Sequence, residues 1–358
     1  MSQTLTTGAD PDAATETGTV HGSEAASAMS QELEERVSQP GSDPLKQAPA
    51  HKERAGDKAF RIITTYSSVL ITVVVGAIGL FLLWRAVPAL ANNAGGFFTY
   101  SADWDLTDRT NMFFGIPNLF LVTVAVSLLA LIGAMPVAFG IAIFLAFYSP
   151  KKLVKPLGFM VDLLAAVPSI VYGLWGVKVL GPALGHVYEK LANTLPIFAV
   201  YPNSPAFDTS RNLLTGGIVL AIMILPVTAA TAREVFVQTP RQHIEAALAL
   251  GATRWEVVKL AVIPFGFSGY IAGSLLGLGR ALGETMALYL VISPSSAFRW
   301  SLFDGGTTFA TAIANAAPEF NDDLKAGAYI AAGLVLFIVT FIVNAAARAV
   351  IGNKEGSE

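Results

Sequence analysis

Six stretches of this chain are apolar for long enough to cross a bilayer, and that limits its fold more than any motif does. A helix spanning the hydrocarbon needs about 20 apolar residues. With no water at that depth, the backbone must satisfy itself inside each helix. The stretches are 62–84, 118–147, 156–177, 213–232, 264–292 and 326–347. The second belongs to an uncharged run from Met112 to Tyr148, too long for one upright crossing. Residues 112–117 are therefore read as an interfacial lead-in and Pro136 as a kink. Composition agrees: 53% of residues are hydrophobic and 14% charged, with a mean hydropathy of +0.57, against about 25% charged in soluble domains. The expectation is an all-α integral membrane protein with six transmembrane helices. There is no cysteine, which excludes disulfides, iron–sulfur clusters and thiol catalysis.

Loop charges orient the bundle. The connection after the second span carries Lys151, Lys152 and Lys155, and that after the fourth carries Arg233, Arg241, Arg254 and Lys259. With the N-terminal tail, Arg348 and Lys354 they fall on one side if six helices alternate: fifteen basic residues there against seven in the opposite loops. Both termini are expected to be cytoplasmic. The outer loops (85–117, 182–212 and 293–325) are longer and hold Trp104, Trp300 and several tyrosines, as interfacial belts do. In the second of them Leu184, Val187, Leu191 and Leu195 recur at helical spacing, which predicts a short helix on the membrane surface.

Residues 1–58 are rich in Ala, Ser, Thr, Glu, Gly and Gln and hold no long apolar run, so they are expected to be a disordered cytoplasmic tail. Residues 59–117 hold the first helix and its outer loop, 118–350 the core domain and 351–358 a short tail. The net charge of −3 and the lack of a basic domain argue against a nucleic-acid partner. His51, His186 and His243 are isolated, with no pair at metal-ligand spacing, so no metal site is expected.

Between the fourth and fifth spans lies QTPRQHIEAALALGATRWEVVKLAVIP, spanning 238–264. Pro240 can open a helix, Gly251 can end it, and Thr253 can cap a second one with Trp255, Val258 and Val262 on one face. Two short helices joined at a glycine make a knob that another protein could grip. An amphipathic connector at the interface fits the same pattern.

Arg280 and Glu284 stand inside the fifth span, where an arginine or aspartate costs roughly 2.5–3.5 kcal/mol on insertion scales. At 100° per residue, Gly269, Gly273, Gly277, Arg280 and Glu284 share one sector of a continuous helix. The glycines form a ridge that lets another helix approach closely, so the charges turn away from lipid. Either they are a structural pair four residues apart, or they line a pathway on which Arg280 meets an oxyanion and Glu284 is its counter-ion.

Glu245-Ala246-Ala247, Gly251 and a hydrophobic segment ending at Pro264 resemble the EAA loop of binding-protein-dependent ABC importer permeases. In that family the loop (here 238–263) docks on a separate ATPase subunit. The resemblance implies the type I importer permease fold over roughly 118–350, with Glu245, Ala246, Ala247, Gly251 and Pro264 as coupling residues. Ala261 and Ile263 depart from the usual isoleucine and leucine.

The run GLGRALGETMA and the segment DLLAAVPSIVYGLWG resemble the phosphate-specific permeases, the first in the form of their C-type subunit. This implies import of inorganic phosphate, with Arg280 and Glu284 in the translocation path. It also implies an A-type permease as heterodimer partner, two ATPase subunits and an external phosphate-binding protein, in a bacterial plasma membrane. Asp162 matches in type, but a salt bridge to Lys155 explains it equally. The chain has no phosphate-binding G-x-x-x-x-G-K-[ST] loop. It is therefore expected to be non-catalytic and to bind no cofactor, ATP and magnesium being held by the partner ATPase. The alternatives are a permease for molybdate or sulfate, a membrane component of phosphate sensing, and an ion-coupled secondary transporter; the coupling loop argues against the last.

Overall fold

A computed structural model describes residues 55–194, 210–295, 298 and 301–355. The tail up to Arg54, with His51 and Lys52, lies outside the described residues, as do Leu195, Trp300 and the last three residues. The chain divides into two compact units, Met1–Ile71 and Thr72–Glu358. Helix α1 (Ala55–Ala91) begins in the first unit. There Thr64 turns its hydroxyl back to the Phe60 carbonyl at 3.0 Å while Ile62, Ile63 and Tyr66 point outward, a surface suited to hydrocarbon.

In the second unit, α2 (Pro117–Ile143) continues into a π-helical turn, Phe144–Tyr148. Helix α3 (Lys151–Ala165) precedes α4 (Ser169–Trp175), a second π turn (Gly176–Leu180) and α5 (Gly181–Thr194). Next come α6 (Leu213–Val237), α7 (Arg241–Ala249) and α8 (Arg254–Val257), then a third π turn (Val258–Val262) leading into α9 (Ile263–Leu282). Helices α10 (Met286–Val291), α11 (Phe309–Ala316) and α12 (Asp323–Glu355) complete it. Among the described residues six helical stretches are long and apolar enough to span a bilayer: Gly56–Ala91, Pro117–Tyr148, Ser169–Leu191, Leu213–Val237, Arg254–Leu282 and Asp323–Ala349.

Helices α2 and α6 form the centre. Val122, Val126, Ala130 and Ala134 of α2 interlock with Leu213, Leu220 and Ile224 of α6, and with Ala281, Leu288 and Ile292. Gly217 lies so close to Leu129 that a methyl group there would overlap it. Small residues at such crossings bring backbones into van der Waals contact, which holds helices together in lipid. Helix α9 packs on α6 through Gly266, Gly269, Gly273 and Gly277, which abut Phe236, Val235, Thr231 and Thr228 in turn. The partner of the glycine ridge is α6.

The third span differs from the sequence reading. The run 156–177 is broken at Pro168, which has no N–H to donate and disfavours helix at Val167. The helix restarts at Ser169 and continues to Thr194. Leu184, Val187 and Leu191 thus belong to the C-terminal end of this span instead of a separate surface helix. Leu184 and Leu191 pack beside Tyr188 and Phe303.

The fifth span differs too. It starts at Arg254, ten residues before Pro264, and stops at Leu282. The π turn sits just ahead of Pro264, whose ring and missing N–H are absorbed where the helix is already widened.

The segment after α1 folds into a cap. Two single bridges, Asn93 with Met112 and Asp105 with Phe113, close the loop after α1. Met112 and Phe114 are buried with Ala86 and Ala89 of α1 and Ala328 and Ala331 of α12. Ion pairs Arg85–Asp323 and Arg109–Asp322, each 2.8 Å, tie this cap to the start of α12.

Candidate functional site

The knob is built by local rules. Pro240 precedes α7 as its cap residue, and no side chain of α7 is buried. Glu245 and Ala246 are exposed and Ala247 half-buried. The helix stops where Gly251 takes φ +83, a left-handed conformation that side chains with a Cβ resist. Thr253 then caps α8 in a reciprocal capping box: its N–H donates to Glu256 Oε2 at 2.7 Å, and the Glu256 N–H donates to Thr253 Oγ1 at 3.4 Å. Leu250 is left 91% exposed at the tip, with Leu248 and Leu260 also outward.

Helix α8 is not a separate short helix, as its sequence suggested. It opens the long stretch Arg254–Leu282. Its buried side chains are Val257, Val258, Ala261 and Val262, whereas Trp255 is half exposed with Lys259 Nζ 5.3 Å from its ring centroid. Trp255 is thus more exposed than the Val258 and Val262 it was expected to share a face with.

At the other end of this helix stands Arg280, exposed in the last turn of α9. A cation there complements the helix dipole. Glu284 lies beyond the break at Gly283 and is half-buried. Its Oε1 accepts the Ala287 N–H at 3.1 Å and so caps α10. No carboxylate oxygen of Glu284 comes within 4 Å of the Arg280 guanidinium. The shared sector calculated for a continuous helix fails for Glu284, because the helix ends between the two residues.

The breaks in the third and fifth spans lie against each other. Gly173 of α4 sits so close to α10 that a Cβ there would stand 3.0 Å from Ala287 Cα, and Gly176 fits between Val219 and Val291. Tyr172 donates its hydroxyl to the Leu164 carbonyl at 2.7 Å, bridging the Pro168 break. Two interrupted helices, a guanidinium and a carboxylate therefore meet at mid-bundle. Non-helical backbone at such depth occurs where it is enclosed by protein or lines a water-filled path. Sequence reasoning placed Arg280 and Glu284 but missed Tyr172 and Gly173; Pro168 beside a glycine-spaced segment was the available signal.

Asp162 is exposed on α3, ahead of the break, and pairs with no lysine among the described residues. Among the other residues singled out, Pro264 is exposed in the first turn of α9 and His243 is exposed on α7. His186 lies 3.8 Å from Glu189 on α5.

A family described as "Binding-protein-dependent transport system inner membrane component" matches residues 138–352. The phosphate transport system permease protein PstC 2 of Mycobacterium bovis is 50% identical over 303 residues, covering 84% of this chain and 93% of its own. PstC of Mycobacterium leprae is 53% identical over 277 residues, 77% of this chain and 86% of that one. PstC of Xylella fastidiosa is 37% identical over 332 residues, 91% and 98% respectively.

Proposed function

We propose that this chain, which belongs to the family of binding-protein-dependent transport system inner membrane components, is a permease subunit of an ATP-driven importer that carries inorganic phosphate into the cell. Its relatives named as phosphate transport permeases align over most of both chains. The observation that carries the mechanism is the long helix Arg254–Leu282, with the exposed knob at one end and Arg280 at the other.

In this reading the knob faces the cytoplasm, as do both termini, in a bacterial plasma membrane. Residues 245–251 present the grip, with Glu245, Ala246 and Ala247 on α7 and Gly251 setting the turn that exposes Leu250. A separate ATPase subunit docks there and supplies the energy. The chain pairs with a related A-type permease, two ATPases and an external phosphate-binding protein. ATP and magnesium belong to the ATPase, and this chain performs no chemistry. Arg280 offers paired donors and a permanent charge to two oxygens of the anion, which suits a tetrahedral oxyanion better than an ammonium would.

The test is uptake of labelled phosphate in cells lacking this chain, complemented with the unaltered protein or with Leu250→Asp. Leu250 buries almost nothing in this chain, so the substitution leaves folding intact while placing a carboxylate in the docking face. Uptake is expected to fall at least tenfold with normal membrane levels of the variant. Equal uptake would remove the coupling role of the knob. Rescue by the unaltered protein of molybdate or sulfate uptake, without phosphate uptake, would favour the other oxyanions.

A further inference from the structure

At the end of the bundle opposite the knob, the start of α6 meets the end of α10 around a groove. Arg211, one residue ahead of the Asn212 cap of α6, donates its Nε–H to the Leu290 carbonyl at 3.0 Å. Its Nη2 reaches the Ile292 carbonyl at 3.5 Å. Those carbonyls close α10, so the guanidinium is pinned at a helix C-terminus. The same side chain lines a cavity of about 220 Å³ together with Tyr289, Thr307, Thr311 and Asn315. Through Pro294, Thr307 and Asn315 the cavity continues into a second of about 430 Å³, beneath Trp104 and Tyr329.

The lining of the first cavity is selective in its chemistry. It holds one fixed cation, three hydroxyls and one amide, and no carboxylate. Asp304, the buried acid of the same loop, is not among the lining residues. Tyr289 Oη lies 3.4 Å from Asn315 Oδ1, and Thr307 donates to the Ser295 carbonyl at 3.1 Å, so the polar edge is held by its own bonds. Thr311 likewise donates its hydroxyl to the Thr308 carbonyl at 3.1 Å, so attraction for an oxyanion rests on the Arg211 charge and the Asn315 amide N–H groups, which disfavour a cation. The groove is also in register with the inner site. Gly277 of α9 abuts Thr228, past the middle of α6. Arg280 therefore lies on the order of 20 Å further along α6 than Arg211, at 1.5 Å per residue.

We propose that this groove is an outer oxyanion subsite, in which Arg211, with Tyr289, Thr307, Thr311 and Asn315, receives the anion before it reaches Arg280. The inference rests on the import reading and adds a residue to its path.

The natural absence of cysteine allows a direct test in the assembled importer in nanodiscs. Thr307→Cys and, separately, Asn315→Cys are modified with membrane-impermeant anionic and cationic thiosulfonates, with and without millimolar inorganic phosphate. The anionic reagent is expected to react several-fold faster than the cationic one, and phosphate to slow modification at least threefold. Arg211→Gln should erase both effects, and Arg211→Lys should keep the charge preference. Equal rates with and without phosphate would overturn the subsite, as would failure of both thiols to react, since the groove must be open to water. Protection by the external binding protein irrespective of phosphate would reassign the groove to protein docking. Labelled phosphate uptake by the same variants' parent separates the two readings. Uptake without protection sinks only the subsite. Protection by another oxyanion with no phosphate uptake sinks only the phosphate assignment.

Discussion

Glu284 accepts the backbone N–H of Ala287 and makes no ion pair with Arg280, although only four residues separate the two charges. The carboxylate is thus committed to opening α10, and the guanidinium ends α9 without a counter-ion from this residue. The two side chains should then respond differently to substitution. Arg280→Gln is expected to abolish phosphate uptake at normal membrane levels. Glu284→Gln keeps an oxygen acceptor for Ala287 and should retain most assembly. Glu284→Ala should lose about 1 kcal/mol through the missing cap. Uptake and immunoblotted membrane levels, measured together, check this; unchanged uptake in Arg280→Gln would remove Arg280 from the path.

The glycine ridge makes a steric prediction. A methyl group at Gly273 would collide with the Thr231 hydroxyl. Gly273→Ala is expected to force α9 from α6 and to lower stability by about 1–3 kcal/mol. Adding Thr231→Gly should restore part of the loss. Thermal aggregation of the purified complex, followed by fluorescence-detected size exclusion, reads both.

Gly251 makes a conformational one. Nothing lies within 4 Å of where its Cβ would stand, so any cost arises from its φ of +83 alone. Asparagine tolerates that region and β-branched residues do not. Phosphate uptake should therefore fall in the order Gly, Asn, Ala, Val at equal membrane levels. Full activity of Gly251→Val would show that the left-handed turn is dispensable.

Asp322 makes a prediction about pH. Its carboxyl sits below the usual carboxylate range, chiefly because the Leu324 N–H bonds to it and secondarily because of Arg109. A depressed acid stabilises the fold above its unfolded pKa, about 3.9, and loses that contribution as pH falls through the lower folded value. The outer cap should be unaffected from pH 8 to 6 and loosen below about 4. Hydrogen exchange across 93–113 and 309–325 would detect this, and Asp322→Asn should flatten the dependence.

Apolar length made most of the architecture legible, because in lipid a run of that length has few options. Pro240, Gly251 and the Thr253 cap were equally plain, since caps act over three or four residues and need no tertiary partner. The breaks at Pro168 and Gly283 were not. Each lies inside a span assigned on its overall apolar length, which carries no signal of a local break, and the helical-phase argument presumed the continuity it needed. Gly283 ends α9 only because Glu284 competes for the next turn's N–H and α4 packs against α10 at Gly173. That contact joins residues more than a hundred positions apart. Arg211 escaped notice for the same reason: its partners, Leu290 and Ile292, are distant in sequence.

The unbroken stretch from Arg254 to Leu282 has a mechanical consequence. It is a rod of roughly 43 Å at 1.5 Å per residue, with the exposed knob at one end and a positive charge near the other. Glu284 is mounted on the next segment, beyond the break at Gly283. The two charges therefore belong to different rigid pieces, and any tilt of the rod relative to α10 would register as a change in their spacing.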